Sequence, residues 1–167
     1  MRSLLVVGAG SFSVEAEELA RLAGYDDIAF LDDHPESACC QRVIGAIADM
    51  GSFRDRYGEG IVALGDNRDR LRLHRELKRC GYTVPILVHP ASYVSPDAVL
   101  SPGCIVRAKA VVSRFARLGE AVIINAGALI DHHVVLGDGC HVLPGAVVRN
   151  KARVEALTRV ESLTLIQ

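Results

Sequence analysis

Asp131, His132 and His133 stand side by side in the middle of "IINAGALIDHHVVLGDG", residues 123–139, a stretch that is otherwise strongly apolar. An imidazole with a pKa of about 6.5 accepts a proton near neutral pH, so a histidine here can act as a general base. The competing reading is a solvated surface corner without chemistry. A second group of suggestive residues opens the chain. Gly8, Gly10 and Ser13 follow an apolar run in the pattern GxGxxS, and Asp32 and Asp33 end the next apolar run. Glycines after a first strand let backbone N–H groups approach a phosphate at a helix N-terminus.

The elements that must position these residues change character along the chain. Over residues 1–87, strand-like and helix-like segments alternate. "SLLVVGAG" reads as a buried strand running into a glycine turn. "VEAEELARLAGY" has helical spacing, with Leu19, Leu22 and Ala23 on one face and Gly24 as its stop. "DIAFLDD" and "GIVALGDN" read as further strands, "RDRLRLHRELKRCGY" as a charged amphipathic helix, and "TVPILV" as a fourth strand. Residues 34–60 read as loop and a short helix. This order predicts a small parallel sheet with packed helices.

From Val88 the period becomes six. Val88, Val94, Leu100, Val106, Val112, Leu118, Ile124, Ile130, Leu136, Val142, Val148, Val154, Val160 and Ile166 follow at intervals of six. These types fill 48 of 167 positions, so fourteen in succession do not arise by chance. Four residues after each of the first thirteen comes a small or β-branched residue, from Ser92 to Thr164. Such hexads are a parallel β-helix signature. The pattern resembles the left-handed hexapeptide-repeat β-helix, in which three hexads form one triangular coil. Residues 88–167 would then be roughly four coils with inward first positions and fifth positions near the tight corners. Asp131, His132 and His133 occupy the second to fourth positions of a hexad, so they lie at or beside a corner and face out of the prism. Sixth-position residues Val99, Ile105, Val111, Ile123, Leu129, Val135 and Val147 would make the outer faces apolar. Turn glycines at Gly119 and Gly137 give way to Arg149, Glu155 and Glu161.

Composition narrows the function classes. The formal net charge is −1, which provides no field to gather nucleic acid or an anionic membrane. No apolar run approaches the roughly 20 residues of a membrane span. The apolar N-terminal run is followed at once by glycines, which argues for a strand over a secretory signal. The five cysteines (39, 40, 80, 104 and 140) form no metal-type CxxC pair and predict reduced thiols in a cytoplasm.

Two regions together resemble one family. "HPASYVSPDAVLSPGCIV" and "INAGALIDHHVVLGDGCHVLPGAVV" are similar to the sialic-acid O-acetyltransferase and bacillosamine N-acetyltransferase group of hexapeptide-repeat enzymes. "VVGAGSFSVEAEELARLAGY", "AFLDD" and "ALGDNRDR" resemble that group's N-terminal Rossmann-like domain. The resemblance implies transfer of an acetyl group from acetyl-CoA to an amine or hydroxyl of a nucleotide-linked sugar, in surface-glycan synthesis, by a homotrimer. It also implies roles for single residues. "IDHH" matches the motif of the catalytic base, which makes His132 the base and places His133 where the family usually has a carboxylate. His141 matches a histidine near the acetyl-CoA thioester, and Asn125 an asparagine on the coil below. Gly8, Gly10, Ser11, Phe12 and Ser13 match the nucleotide-sugar loop, with Ser11 and Ser13 in place of glycines. Asp32 and Asp33 match paired carboxylates that contact the base and ribose. No metal is implied.

Two other readings stay open at this stage. A trimeric nucleotide-sugar-binding protein without catalysis is favoured by Ser11, Ser13, His133 and the short stretch of 34 residues after His133. A zinc enzyme resembling the γ-class carbonic anhydrases would draw its histidines from His132, His133 and His141.

Overall fold

A computed structural model describes residues 2–38 and 42–167. Cys39 and Cys40 lie outside the described residues. The chain divides into two compact units, Met1–Pro85 and Ile86–Gln167.

The first unit is built on a four-stranded parallel sheet. Its strands are β1 (Ser3–Val7), β2 (Asp27–Leu31), β3 (Val43–Gly45) and β4 (Gly60–Val62), in the order β3-β2-β1-β4. Leu4 to Val7 are fully buried, as a central parallel strand covered on both faces requires. Helix α1 (Ser11–Leu22) buries Ser13, Ala16, Leu19 and Ala20. Leu22 is instead exposed and Ala23 half-buried, so the inner face lies one residue step away from the predicted one. Gly24 takes the left-handed conformation (φ 84°) that ends the helix. Helix α2 (Arg54–Tyr57) is short, and α3 (Asn67–Arg79) is capped by Asp66, whose carboxylate accepts the N–H groups of Arg68 and Asp69 at 2.9 Å.

Three features differ from the sequence reading. The fourth sheet strand is β3, from the segment read as loop. "TVPILV" does not join this sheet as a strand: Leu87–Val88 pairs with Ile105–Val106 of the second unit, and an isolated bridge joins Thr83 to Glu59. The charged helix α3 buries Arg70 and His74. Arg70 is 1% exposed and donates to the carbonyls of Leu64, Gly65 and Asp66 and to Asn67 Oδ1. A guanidinium can be buried only when its donors are used this fully.

The second unit is a left-handed parallel β-helix. Its two-residue strands pair in parallel at intervals of eighteen residues, three hexads per coil. One face stacks Leu87–Val88, Ile105–Val106, Ile123–Ile124, His141–Val142 and Arg159–Val160. A second stacks Tyr93–Val94, Val111–Val112, Leu129–Ile130, Val147–Val148 and Leu165–Ile166. The third stacks Val99–Leu100, Arg117–Leu118, Val135–Leu136 and Arg153–Val154. First- and fifth-position residues from Cys104 to Val154 form one continuous core.

The corners have a regular backbone. Every fourth hexad position from Gly103 to Leu163 has positive φ, and seven of these eleven residues are not glycine. Left-handed geometry costs a side-chain-bearing residue roughly 1–2 kcal/mol. Hydrogen bonds to the coil below offset this, as when Phe115 N donates to Asp97 O and Lys151 N to His132 O. Gly119 and Gly137 are not left-handed turn glycines. They occupy second positions where coils approach closely: a Cβ on Gly137 would lie 2.5 Å from the Ala156 amide nitrogen. Among the sixth positions, Ile105 and Ile123 are fully buried, whereas Val99 is exposed and Val111, Leu129, Val135 and Val147 are half-buried.

Candidate functional site

The prism corner at residues 131–133 joins the strand Leu129–Ile130 to Val135–Leu136. Ile130 and Val134 are fully buried, His132 and His133 are exposed, and Asp131 is half-buried. This is the outward aim that the hexad register predicts. The Asp131 carboxylate accepts the backbone N–H of His132 at 2.7 Å, which stiffens the corner. His133 has φ 61°, and its N–H donates to Arg114 O at 3.1 Å. That backbone turns its ring onto Phe115, with centroids 4.9 Å apart, and brings its Nδ1 to 3.0 Å from the Nδ1 of His132. The Arg114 guanidinium covers the Phe115 ring at 5.0 Å and is held by Asp97 at 2.7 Å.

His133 also lines a groove of about 740 Å³ with Phe115, Arg117, Val135, Lys151 and Arg153. These residues fall into two columns of eighteen-residue spacing. Phe115, His133 and Lys151 are successive corners, and Arg117, Val135 and Arg153 are successive rungs of one face. The groove therefore has an aromatic and aliphatic floor with three cations. Sequence reasoning missed Phe115, Arg117, Lys151 and Arg153, although the coil period of eighteen aligns Phe115 and Lys151 with His133, and Arg117 and Arg153 with Val135.

Asn125 and His141 are both buried. The Asn125 amide Nδ2 lies 3.4 Å from His141 Nε2, and its Oδ1 accepts from Arg107 at 2.8 Å and from the Ala126 amide at 2.8 Å. Two donors on Oδ1 set the amide orientation and direct Nδ2 at the ring. Arg107 is a member of this group that the sequence did not single out. His141 belongs to the face that stacks on Ile123, and the pair 132–133 to a corner between the other two faces. Among the described residues, no three His, Cys, Asp or Glu side chains cluster as metal ligands.

In the first unit, the candidate residues gather at the C-terminal ends of the strands. Gly8 has φ 99°, and a Cβ there would meet Leu64 Cδ2 at 2.7 Å and Ala63 O at 3.0 Å. Only glycine fits between the loops that follow β1 and β4. Gly10 is exposed and precedes α1, whose first residue, Ser11, is exposed; Phe12 is half-buried. Ser13 is fully buried, and its hydroxyl donates to Gly10 O at 2.5 Å. Asp32 Oδ2 accepts the Ala9 N–H at 2.7 Å, while its Oδ1 accepts the His34 N–H at 2.8 Å. Asp33 Oδ1 accepts the Ile47 N–H at 2.9 Å. Both carboxylates thus already organise backbone in these loops.

Residues 3–77 match the PglD N-terminal domain family, and residues 115–150 match the bacterial transferase hexapeptide (six repeats) family. The acetyltransferase domain of PglB from Neisseria gonorrhoeae is 30% identical, with a TM-score of 0.89 over 100% of this chain and 92% of that one. The same domain in complex with acetyl coenzyme A is 31% identical, with a TM-score of 0.87 over 99% and 92% of the two chains. A mutant perosamine N-acetyltransferase from Caulobacter crescentus, in complex with CoA and GDP-perosamine, shares the fold at 24% identity, with a TM-score of 0.78 over 100% and 92%. A curated relative is the acyl-(acyl-carrier-protein)–UDP-N-acetylglucosamine O-acyltransferase of Chlamydia caviae, 27% identical over 64 residues. That match covers 38% of this chain and 23% of that protein, under a quarter of its length.

Proposed function

This chain belongs to the hexapeptide-repeat sugar acetyltransferases, the family of the sialic-acid O-acetyltransferases and bacillosamine N-acetyltransferases, and on that premise we propose that it moves the acetyl group of acetyl-CoA onto an amine or hydroxyl of a nucleotide-linked sugar, with His132 as general base. The observation that carries this reading is the imidazole pair at the edge of the cationic groove.

Acetyl-CoA supplies the acetyl group as a thioester. The groove suits such a donor: Arg117, Lys151 and Arg153 offer charge-assisted hydrogen bonds to phosphates, and Phe115 and Val135 offer apolar contact to its arm. His132 Nε2 takes the proton from the sugar nucleophile as its electron pair forms the new bond to the carbonyl carbon. The C–S bond breaks, and the same proton passes to the leaving sulfur. His141, oriented by Asn125, lies on the remaining face of the prism, and in this reading it reaches the thioester from the neighbouring prism of the trimer.

The nucleotide sugar is assigned to the first unit, at Gly8, Gly10, Ser11, Phe12, Ser13, Asp32 and Asp33. Strand order β3-β2-β1-β4 reverses direction at β1, and ligands of open parallel sheets lie outside the strand ends at such a point. A homotrimer of prisms packed side by side is supported by the half-buried apolar residues Val111, Leu129 and Val147, which stack on one face, and would complete the groove. The setting proposed is a cytoplasmic step of surface-glycan synthesis.

Titration with acetyl-CoA, followed by release of CoA thiol in the presence of a series of nucleotide-linked amino sugars and sugars, tests the reading. Binding of the donor and turnover with one of these acceptors supports it. Nucleotide-sugar binding without acetyl-CoA binding would favour the inactive binding protein.

A further inference from the structure

The two Nδ1 atoms of His132 and His133 lie 3.0 Å apart, with ring planes at 86°. Two imidazole nitrogens at this distance need one proton between them: one ring must carry hydrogen on Nδ1 and the other must not. A His132 that acts as a base through Nε2 must carry its own proton on Nδ1. Its neighbour then has a bare Nδ1 and carries its proton on Nε2. Only that arrangement satisfies both the contact and the chemistry.

The rest of the corner keeps His133 in place for this. Its backbone is held at φ 61° by the bond to Arg114 O, and its ring rests on Phe115, which the Asp97-anchored Arg114 covers. The carboxylate nearest in sequence, Asp131, accepts the His132 backbone N–H. The other charged groups facing His133 are the groove cations Arg117, Lys151 and Arg153. We propose that His133 is a positioning residue: its Nδ1 accepts the Nδ1–H of His132 and holds the base in the tautomer with Nε2 unprotonated. This rests on the reading of His132 as the base.

The test compares the parent with His133→Phe, which has no acceptor but preserves an aromatic ring, and His133→Asn, whose Oδ1 can accept. Ring-nitrogen NMR of His132 reports the tautomer directly. In His133→Phe, His132 should move to the Nε2–H form that free histidine favours. Its kcat should fall about 10- to 100-fold, the range typical of an orienting partner, with KM for the sugar unchanged. His133→Asn should retain the Nδ1–H form and recover much of the rate. A His133→Phe protein with the parental tautomer and kcat overturns the proposal. His132→Ala turning over at the parental rate would instead overturn the base assignment, while the NMR comparison still decides whether His133 sets the tautomer.

Discussion

The carboxylate of Asp32, just beyond the end of β2, reaches the backbone N–H of Ala9, just beyond the end of the adjacent strand β1, at 2.7 Å. One oxygen ties the glycine turn and the other ties His34, so a residue proposed to hold the nucleotide sugar also holds its own loop together. Asp32→Ala should therefore lower stability, by about 1.5–3 kcal/mol if the lost charged hydrogen bonds go uncompensated. Urea unfolding of the full chain measures this. An unchanged midpoint with lost nucleotide-sugar binding would assign Asp32 to the ligand alone.

Two prism glycines should respond to alanine for different reasons. Gly137 faces the Ala156 backbone, where a Cβ would sit 2.5 Å from its nitrogen, so Gly137→Ala must displace a coil. The overpacking cost should be about 1–3 kcal/mol or more. Gly127 has φ 68° and open space around its missing Cβ, so Gly127→Ala should cost only the left-handed strain, roughly 1–2 kcal/mol. Thermal unfolding of both variants should rank them in that order.

The prism was legible because the inward position recurs with one residue type every six residues, a period that neither an ordinary strand nor a helix produces. The outward aim of residues 131–133 followed from the same register. Other features were hidden for identifiable reasons. β3 is three residues long, too short for an alternating pattern to show. "TVPILV" is apolar enough for a strand, but apolarity does not say which sheet Leu87 and Val88 will join. Arg70 looks like a solvated helix residue until its guanidinium is seen to bind three loop carbonyls. The 3.0 Å contact between His132 and His133 depends on a positive φ at a non-glycine residue, which sequence alone does not reveal.

Cys104 is buried in the prism, its thiol donates to Gly119 O, and burial pushes its pKa up to about 12. At pH 8 it remains protonated, and reactive thiolate is scarce. A thiol reagent at that pH should leave Cys104 unmodified in the native protein and label it after unfolding. Peptide mapping by mass spectrometry reads the result, and rapid native labelling would contradict the packing.

Assembly has its own test. The face on which Val111, Leu129 and Val147 stack should be covered by a second prism. Sedimentation at micromolar concentration should give a trimer, and Val111→Glu should weaken it. A clean monomer would remove the interfacial site.

The most direct measurement is acetyl transfer to the best nucleotide-linked sugar by the parent and by His132→Ala, with acetyl-CoA affinity measured on both. Loss of the general base should reduce kcat by about 100- to 10,000-fold while acetyl-CoA binding stays nearly unchanged. A His132→Ala protein that acetylates the sugar as fast as the parent would contradict the account, and the "IDHH" corner would then be a structural turn beside the groove.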